Sequence, residues 1–128
     1  MTVLSVDSRY VSRDRALVDF LAAVLELEEL APLQFPQGTL HRLQGPSGWI
    51  KVMVPADPPA DPPAAAQFTG VVGLRYLTVR VSDLDGVLAR VAEHGDAVVI
   101  PPMEMGPGVR LAVVNDSDAN ALEIIEEA

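Results

Sequence analysis

Cysteine and histidine, which are common ligands of transition metals, are absent or rare in this sequence. The chain has no cysteine, which excludes disulfides, thiolate nucleophiles and cysteine-ligated zinc. It has two histidines, His41 and His94. His94 precedes Gly95 at a predicted helix end, where the helix dipole favours a cation, so capping is its favoured role. His41 lies in a predicted strand, and the pattern LHRL leaves two orientations open, toward a cavity or toward solvent.

The segment NDSDAN, residues 115–120, is dense in acidic and amide side chains. Asp116, Asp118 and Asn120 are types that calcium binds through oxygen. In a short connection between strands they are more typical of Asx turns, in which the side chain accepts from nearby backbone N–H groups. No glycine-rich phosphate loop and no nucleophile elbow occurs in the sequence. A turn is therefore the favoured interpretation of this segment.

The formal net charge of −9 restricts the partners that we expect. An acidic surface disfavours nucleic acid, whose phosphates need basic side chains, and it permits attraction of a cationic small molecule. No apolar run approaches the ~20 residues that span a bilayer. The N-terminal MTVLSVDSRY lacks the basic start and long apolar stretch of a secretory signal. We expect a cytoplasmic protein with neither nucleic acid nor membrane as a partner.

Residues 73–128 predict a complete βαβββ unit. Residues 73–81 alternate as a strand does, with one face formed by Tyr76, Thr78 and Arg80. A helix follows with an N-cap at Ser82 or Asp83, and Gly95 is placed to end it in a left-handed conformation. Three strands are then predicted at 97–100, 110–114 and 121–125, with turns at 101–108 and 115–120.

The first half predicts the same order of elements, with a strand at 3–12, a helix at 13–27 and strands at 28–34, 39–43 and 49–54. A shift of 70 residues aligns the two halves. Between them, the proline-rich PADPPADPPAAAQ predicts an extended linker. We therefore predict one α+β domain over 1–128, with two βαβββ modules that form a curved, mostly antiparallel sheet with a concave binding face and helices outside. Its parts are module one at 1–54, the linker at 55–72 and module two at 73–128.

Three sequence segments resemble a known superfamily: YLTVRVSDLDGVLARV and NDSDANALEI in the second half, and GWIKVMVP in the first. With the duplicated βαβββ order, they are similar to the vicinal oxygen chelate superfamily, which includes glyoxalase I, bleomycin-resistance proteins, fosfomycin-resistance enzymes and extradiol dioxygenases. The resemblance covers nearly the whole chain. It is specific for the fold and weak for function, because the superfamily hosts many chemistries.

The resemblance implies a divalent metal held by an early His or Gln and a late Glu of each module. In module two, Tyr76 stands at the early position and Glu123 at the late one. In module one, Lys51 stands at the late position, and the early position is Val6, or Asp7 if the strand shifts by one residue. Most of the ligand set is thus missing, and no cofactor is expected. A rearranged metal set of His41, Glu123 and Asp7 remains the alternative.

The residues predicted to bind a ligand share the concave face by strand alternation. They combine aromatic rings with polar and charged tips, as small-molecule pockets do. Lys51 and Glu123, at matching positions of the two modules, could instead neutralise each other. The predicted set is Trp49, Lys51, Met53, Tyr76, Thr78, Arg80 and Glu123, with His41 as a further member.

These residues predict a metal-independent protein that binds a small organic ligand, aromatic or cationic, as in drug or natural-product sequestration. The alternative is a lyase, isomerase or dioxygenase. It would use the rearranged metal set, or transfer protons without a metal through Lys51, Tyr76 or Glu123. A homodimer is expected from the resemblance.

Overall fold

Both halves of the chain fold in the predicted order of strand, helix and three strands. The computed structural model describes residues 2–61, 68–95 and 97–127. The chain divides into two units, Met1–Pro62 and Pro63–Ala128, which contain module one and module two, respectively. Each has one helix and a four-stranded sheet that mixes parallel and antiparallel pairs, which confirms the α+β class and the two βαβββ modules. Residues 62–67 of the predicted linker lie outside the described residues.

The elements of module one, in chain order, are β1 (Ser8–Val11), α1 (Ala16–Leu25), β2 (Glu28–Phe35), β3 (Gly38–Gln44) and β4 (Trp49–Pro55). The sheet order is β1–β4–β3–β2, and β1 is parallel to β4 whereas the other pairs are antiparallel. Strand β1 is shorter than the strand predicted at 3–12. It is an edge strand, and its pairing with β4 begins only at Ser8, opposite Ile50.

Helix α1 is stabilised by one buried apolar stripe and by a local side-chain hydrogen bond at its start. The side chain of Asp14 accepts a hydrogen bond from the backbone N–H of Ala16 at 2.8 Å. The helix ends where Glu26 takes a left-handed conformation, with φ of 52°. It is therefore shorter at both ends than the helix predicted at 13–27. Its fully buried residues recur at helical spacing, and they are Leu17, Val18, Leu21 and Val24.

The elements of module two, in chain order, are β5 (Tyr76–Val81), α2 (Leu84–Glu93), β6 (Val98–Gly106), β7 (Val109–Asn115) and β8 (Ala121–Glu127). The sheet order β5–β8–β7–β6 repeats that of module one, again with the first and last strands parallel. Asp83 is the N-cap of α2, since its side chain accepts from the backbone N–H of Gly86 at 3.0 Å. Gly95 follows the helix with φ of 97°, which confirms the predicted left-handed stop.

The turn predicted at 101–108 is largely wrong. Strand β6 continues through Pro101 and Pro102 to Gly106, and only residues 107–108 form the turn. Prolines are tolerated there because β6 is an edge strand, whose outer side needs no ladder hydrogen bonds. The register with β7 shifts between Ile100 and Met103, on either side of the prolines.

Each sheet has one face toward its helix, and we call the opposite side the open face. In module one, the fully buried Leu43 and Val52 lie on the helix side. In module two, the buried Leu122 and Ile124 do. Residues paired across neighbouring strands share a face. The four buried residues and the strand registers therefore show whether each of the other strand residues lies on the helix side or on the open face. Within the described part of the chain, no helix has the length and apolar character needed to cross a bilayer.

Candidate functional site

The open face of module one carries an indole ring close to two cations. Trp49 begins β4, and the guanidinium carbon of Arg42 lies 5.8 Å from the centroid of its ring. The ammonium of Lys51 lies 5.6 Å from the same centroid. Both distances fall within the range of cation–π attraction, in which the negative face of the ring attracts a positive charge. Trp49 and Lys51, two residues apart on β4, therefore share a face, as predicted.

A bulge in the neighbouring strand positions Arg42. Leu30 pairs with Arg42 and Leu33 pairs with Leu40, so two residues of β2 stand opposite one residue of β3. The carbonyl of Ala31 in this bulge accepts from Arg42 Nη2 at 2.7 Å and from Nε at 3.1 Å. Proline at position 32 has no N–H to contribute to the ladder, which fits a bulge at this point. The sequence analysis did not identify Arg42, although it directly follows the candidate His41.

Lys51 has a carboxylate partner within its own module. Its Nζ lies 3.3 Å from Asp7 Oδ2, and the two side chains are 17% and 25% exposed. The other carboxylate oxygen of Asp7 accepts from the backbone N–H of Trp49 at 3.2 Å. This geometry resolves the open register of residues 3–12, because it places Asp7 rather than Val6 beside Lys51. Val6 is 77% exposed.

His41 does not lie on the open face, so it does not share a face with Trp49, Lys51 and Met53 of the predicted ligand-binding set. It pairs with Val52 and so points to the helix side of the sheet, where it is only 9% exposed. Its Nδ1 is 3.8 Å from Glu29 Oε2. Glu29 also accepts from Arg15 Nη2 at 2.7 Å, and this bond, together with the hydrogen bonds that Arg15 donates to Asp19, raises the pKa of Arg15. His41 is thus part of the contact between α1 and the sheet.

The open face of module two carries a hydroxyl–carboxylate pair. Thr78 on β5 donates to Glu123 Oε1 on β8 at 2.9 Å. Arg80, also on this face, binds Glu127 Oε1 at 2.6 Å, so its charge is matched by a carboxylate. Tyr76 is half exposed, and its ring meets the edge of Phe68 with centroids 5.0 Å apart. Tyr76, Thr78, Arg80 and Glu123 share one face, as their alternation predicts.

The acidic turn between β7 and β8 is an Asx turn, as predicted. Asp116 Oδ1 accepts from the backbone N–H groups of Asp118 and Asn120, each at 2.9 Å, and the side-chain amide of Asn120 donates to both carboxylate oxygens. Asp116 is 6% exposed. Its burial raises its pKa, although the hydrogen bonds from Asn120 and Asp118 oppose this effect. The other predicted cap, His94, occupies the C-cap position of α2.

The residues present do not fit the divalent metal that the resemblance implies. Both oxygens of Asp7 accept hydrogen bonds, one from the ammonium of Lys51, and a cation beside the carboxylate repels a metal ion. His41 lies on the opposite face of the sheet from Asp7, so the rearranged set is not assembled within module one. Across the residues that the structure describes, no three His, Asp or Glu side chains form a group that could hold a metal.

Solved structures of the same fold cover nearly the whole chain. TioX from Micromonospora sp. ML1 has a TM-score of 0.70 and 22% identity, over 98% of this chain and 100% of that one. A glyoxylase/bleomycin resistance protein/dioxygenase domain from Frankia sp. EAN1pec has a TM-score of 0.73 and 20% identity, over 99% and 94%. The fosfomycin resistance protein FosX from Listeria monocytogenes has a TM-score of 0.71 and 16% identity, over 100% and 96%. At these identities the similarity shows the fold.

A search of curated proteins finds no match to this sequence. A sequence profile of the Glyoxalase/Bleomycin resistance protein/Dioxygenase superfamily, in contrast, matches residues 6–124, which include both modules. The match agrees with the duplicated βαβββ order and with the resemblance seen in the sequence. The chain belongs to the Glyoxalase/Bleomycin resistance protein/Dioxygenase superfamily.

Proposed function

We propose that this protein binds a small organic molecule on the open face of module one and needs no metal to do so. The observation that carries the proposal is the half-buried Trp49 ring with Arg42 and Lys51 within 6 Å of its centroid. An indole supplies a large, rigid surface for a planar ring at low entropic cost. The cations and Asp7 supply polar groups that orient a ligand, as in small-molecule sites.

The contacts that the carboxylates already make support metal independence. Asp7 is engaged by Lys51 and by the backbone of Trp49, and Glu123 accepts from Thr78. A metal ion at Asp7 would have to displace an ammonium group and remain within a few ångströms of it. At that separation the repulsion between unit charges costs about 1 kcal/mol in water and several times more in a protein environment.

Sequestration of a drug or natural product is the specific form that we propose. The superfamily description names bleomycin resistance, and one structure with the same fold is a fosfomycin resistance protein. These names support the class of ligand without identifying it. A binding protein of this kind needs a surface for a ring and groups that fix its orientation, and module one offers both.

Calorimetric titration of the metal-stripped protein tests the proposal. Protein dialysed against a chelator is titrated with planar aromatic compounds, and Trp49→Leu is compared with Trp49→Phe. We expect saturable binding that chelation leaves unchanged. Because loss of one stacking ring removes about 1–3 kcal/mol, affinity should fall by about 5- to 150-fold in Trp49→Leu and much less in Trp49→Phe. A requirement for added divalent metal, or equal affinity in the leucine variant, would refute the proposal.

The Thr78–Glu123 pair favours one alternative, a metal-free enzyme in which Glu123 acts as a base. The threonine hydroxyl holds one carboxylate oxygen at 2.9 Å and so orients the side chain. Mass spectrometry of a recovered ligand distinguishes the two functions. Sequestration returns the ligand unchanged. Catalysis returns a converted compound or an isomer with a different retention time, and the conversion is lost in Glu123→Gln.

A further inference from the structure

We infer that the open face of module one selects ligands that join a planar ring to an anionic group, such as an aromatic carboxylate or sulfonate. The inference rests on the proposed function and names its ligand class. It differs from the cationic ligand that the net charge of −9 permits. The sign of the charge beside the binding surface decides this selectivity, because charges further than about 10 Å away are largely screened at physiological salt.

The open face of module one has a local excess of positive charge. The strand registers place three cations and two carboxylates on this face. The carboxylates are Asp7, which binds Lys51, and Glu28, which lies on the outer strand β2 opposite Gln44. The cations are Arg9, Arg42 and Lys51.

Two of these cations have no carboxylate partner among the residues that the structure describes. The hydrogen bonds of Arg42 go to the backbone carbonyl of Ala31, which is a neutral acceptor. Arg9 pairs with Lys51 in the strand register and is exposed, with no ion pair in the described ranges. The positive charge near the Trp49 ring is therefore only partly neutralised, by Asp7. An anionic group on a ring that contacts the indole would meet guanidinium and ammonium donors.

The open face of module two has the opposite balance. Its register positions carry two carboxylates, Glu123 and Glu127, against the single cation Arg80, which is already bound to Glu127. A cationic ligand attracted by the net charge of the protein would thus be favoured near module two rather than near the indole. The two faces offer different ligand classes although their strands have the same order.

Two probes with the same ring and opposite charge test the inference: naphthalene-2-sulfonate and 2-naphthylmethylammonium. Trp49 is the only tryptophan, so its indole N–H gives a single NMR signal that reports on module one. We expect the sulfonate to shift this signal saturably and to bind at least about tenfold more tightly than the ammonium compound. Raising the salt concentration should weaken binding of the sulfonate but not binding of the ammonium compound.

Charge-neutralising variants locate the selectivity. Arg9→Gln and Lys51→Gln should each weaken sulfonate binding about fivefold, because each removes one positive charge from the face that carries the ring. Arg9 is exposed and has no ion pair in the described structure, so Arg9→Gln should fold normally. It therefore remains informative even if loss of the Lys51–Asp7 contact destabilises Lys51→Gln. Arg90→Gln is the matched control, since it removes the same charge from α2. It should change the sulfonate affinity by less than about twofold.

Failure of the inference is distinguishable from failure of the proposed function. Equal binding of the two probes, equal effects of Arg9→Gln and Arg90→Gln, or sulfonate binding without a shift of the indole signal would each overturn the inference. If uncharged planar compounds still bound with a shift of that signal, the proposed function would stand without charge selection. If no planar compound bound saturably, both would fall.

Discussion

The central strands β4 and β8 place opposite charges at matching points of two sheets with the same strand order. Lys51 is the third residue of β4, and Glu123 is the third residue of β8. Lys51 binds Asp7 and lies beside an indole, whereas Glu123 accepts from Thr78. Duplication preserved the pairing of strands, which depends on the backbone and on the helix-facing apolar residues. The open faces were free to differ, because they contribute less to each module's core.

The helix sides differ too. In module two, Glu126 on β8 accepts from the backbone N–H of Leu84 at the start of α2 and from Arg110, so a carboxylate joins the helix to the sheet. In module one, the backbone N–H of Ala16 at the start of α1 donates to the nearby Asp14. A strand carboxylate, Glu29 on β2, also meets the start of this helix, but it accepts from the side chain of Arg15 rather than from the helix backbone. These contrasts can be tested one module at a time.

The largest effects are expected from shortening the two apolar cores. Leu43→Ala in module one and Leu122→Ala in module two each remove a side chain that is 0–1% exposed on the helix side of its sheet. Each should lower the free energy of unfolding by about 2–5 kcal/mol, through lost transfer energy and the remaining cavity. Chemical denaturation measures both. A loss below about 1 kcal/mol in either variant would contradict the assignment of that face to the core.

The next largest effect concerns the carboxylate that joins α2 to its sheet. Glu126→Ala leaves the Leu84 N–H without its acceptor and leaves the Arg110 guanidinium with Asp85 alone, which should cost about 2–3 kcal/mol of unfolding free energy. Glu127→Ala is the control, because its ion pair with Arg80 is exposed and worth about 1 kcal/mol or less. Equal losses in thermal or chemical unfolding would show that the Glu126 contacts do not stabilise the helix.

A smaller, pH-dependent effect is expected at the turns that precede β4 and β8. The turn in module one is closed by Gly45 and Gly48, without a titrating side chain, whereas module two uses the buried Asp116. Burial raises the pKa of Asp116, so the folded state binds this proton more tightly than the unfolded chain. The Asp116 contribution to stability is therefore present at low pH and is lost as pH rises from the unfolded value, about 4, through the raised one.

Asp116→Asn does not titrate, so the comparison of its unfolding free energy with that of wild type isolates this group. As pH rises across that window, the difference should move in favour of the asparagine variant, by about 1.4 kcal/mol for each unit of pKa shift. Denaturant midpoints at a series of pH values measure it. A change in the opposite direction would mean that the three hydrogen-bond donors outweigh burial.

The smallest effect is expected at His41. Its counterpart in the register of module two is the buried Ala112, also on the helix side. Within the described residues its Nδ1 has no hydrogen bond to lose. His41→Leu should therefore alter ligand affinity by less than about twofold and unfolding free energy by about 1 kcal/mol or less. If the His41→Leu protein folded but bound the ligand tenfold more weakly, His41 would have to be part of the ligand-binding site.

The sequence predicts the face of a residue well where alternation is clean. In YLTVRV the apolar residues occupy every second position, and the structure confirms which face Thr78 and Arg80 occupy. In LHRL both flanking residues are apolar and both are buried, Leu40 on the open face and Leu43 on the helix side, so the pattern cannot orient His41. The face of the sheet that a strand residue occupies therefore depends on what packs against each face, and the residue type alone does not determine it.

The features that the sequence did not predict correctly, or did not predict at all, depend on tertiary context. Pro101 and Pro102 are typical turn residues, but an edge strand tolerates them, and edge position follows from the order of the whole sheet. The approach of Arg42 to Trp49 depends on a bulge in β2 that no local pattern shows. The partnership of Asp7 with Lys51 joins residues 44 positions apart, through a parallel pairing whose register four residues cannot specify.

The most direct test of the central claim is an NMR titration of the metal-stripped, isotope-labelled protein with naphthalene-2-sulfonate. We expect saturable shifts of the Trp49 indole N–H and of the β4 amides on either side of Lys51, unchanged in the presence of chelator. Shifts confined to the amides of β5 and β8, or shifts that appear only after a divalent metal is added, would contradict it.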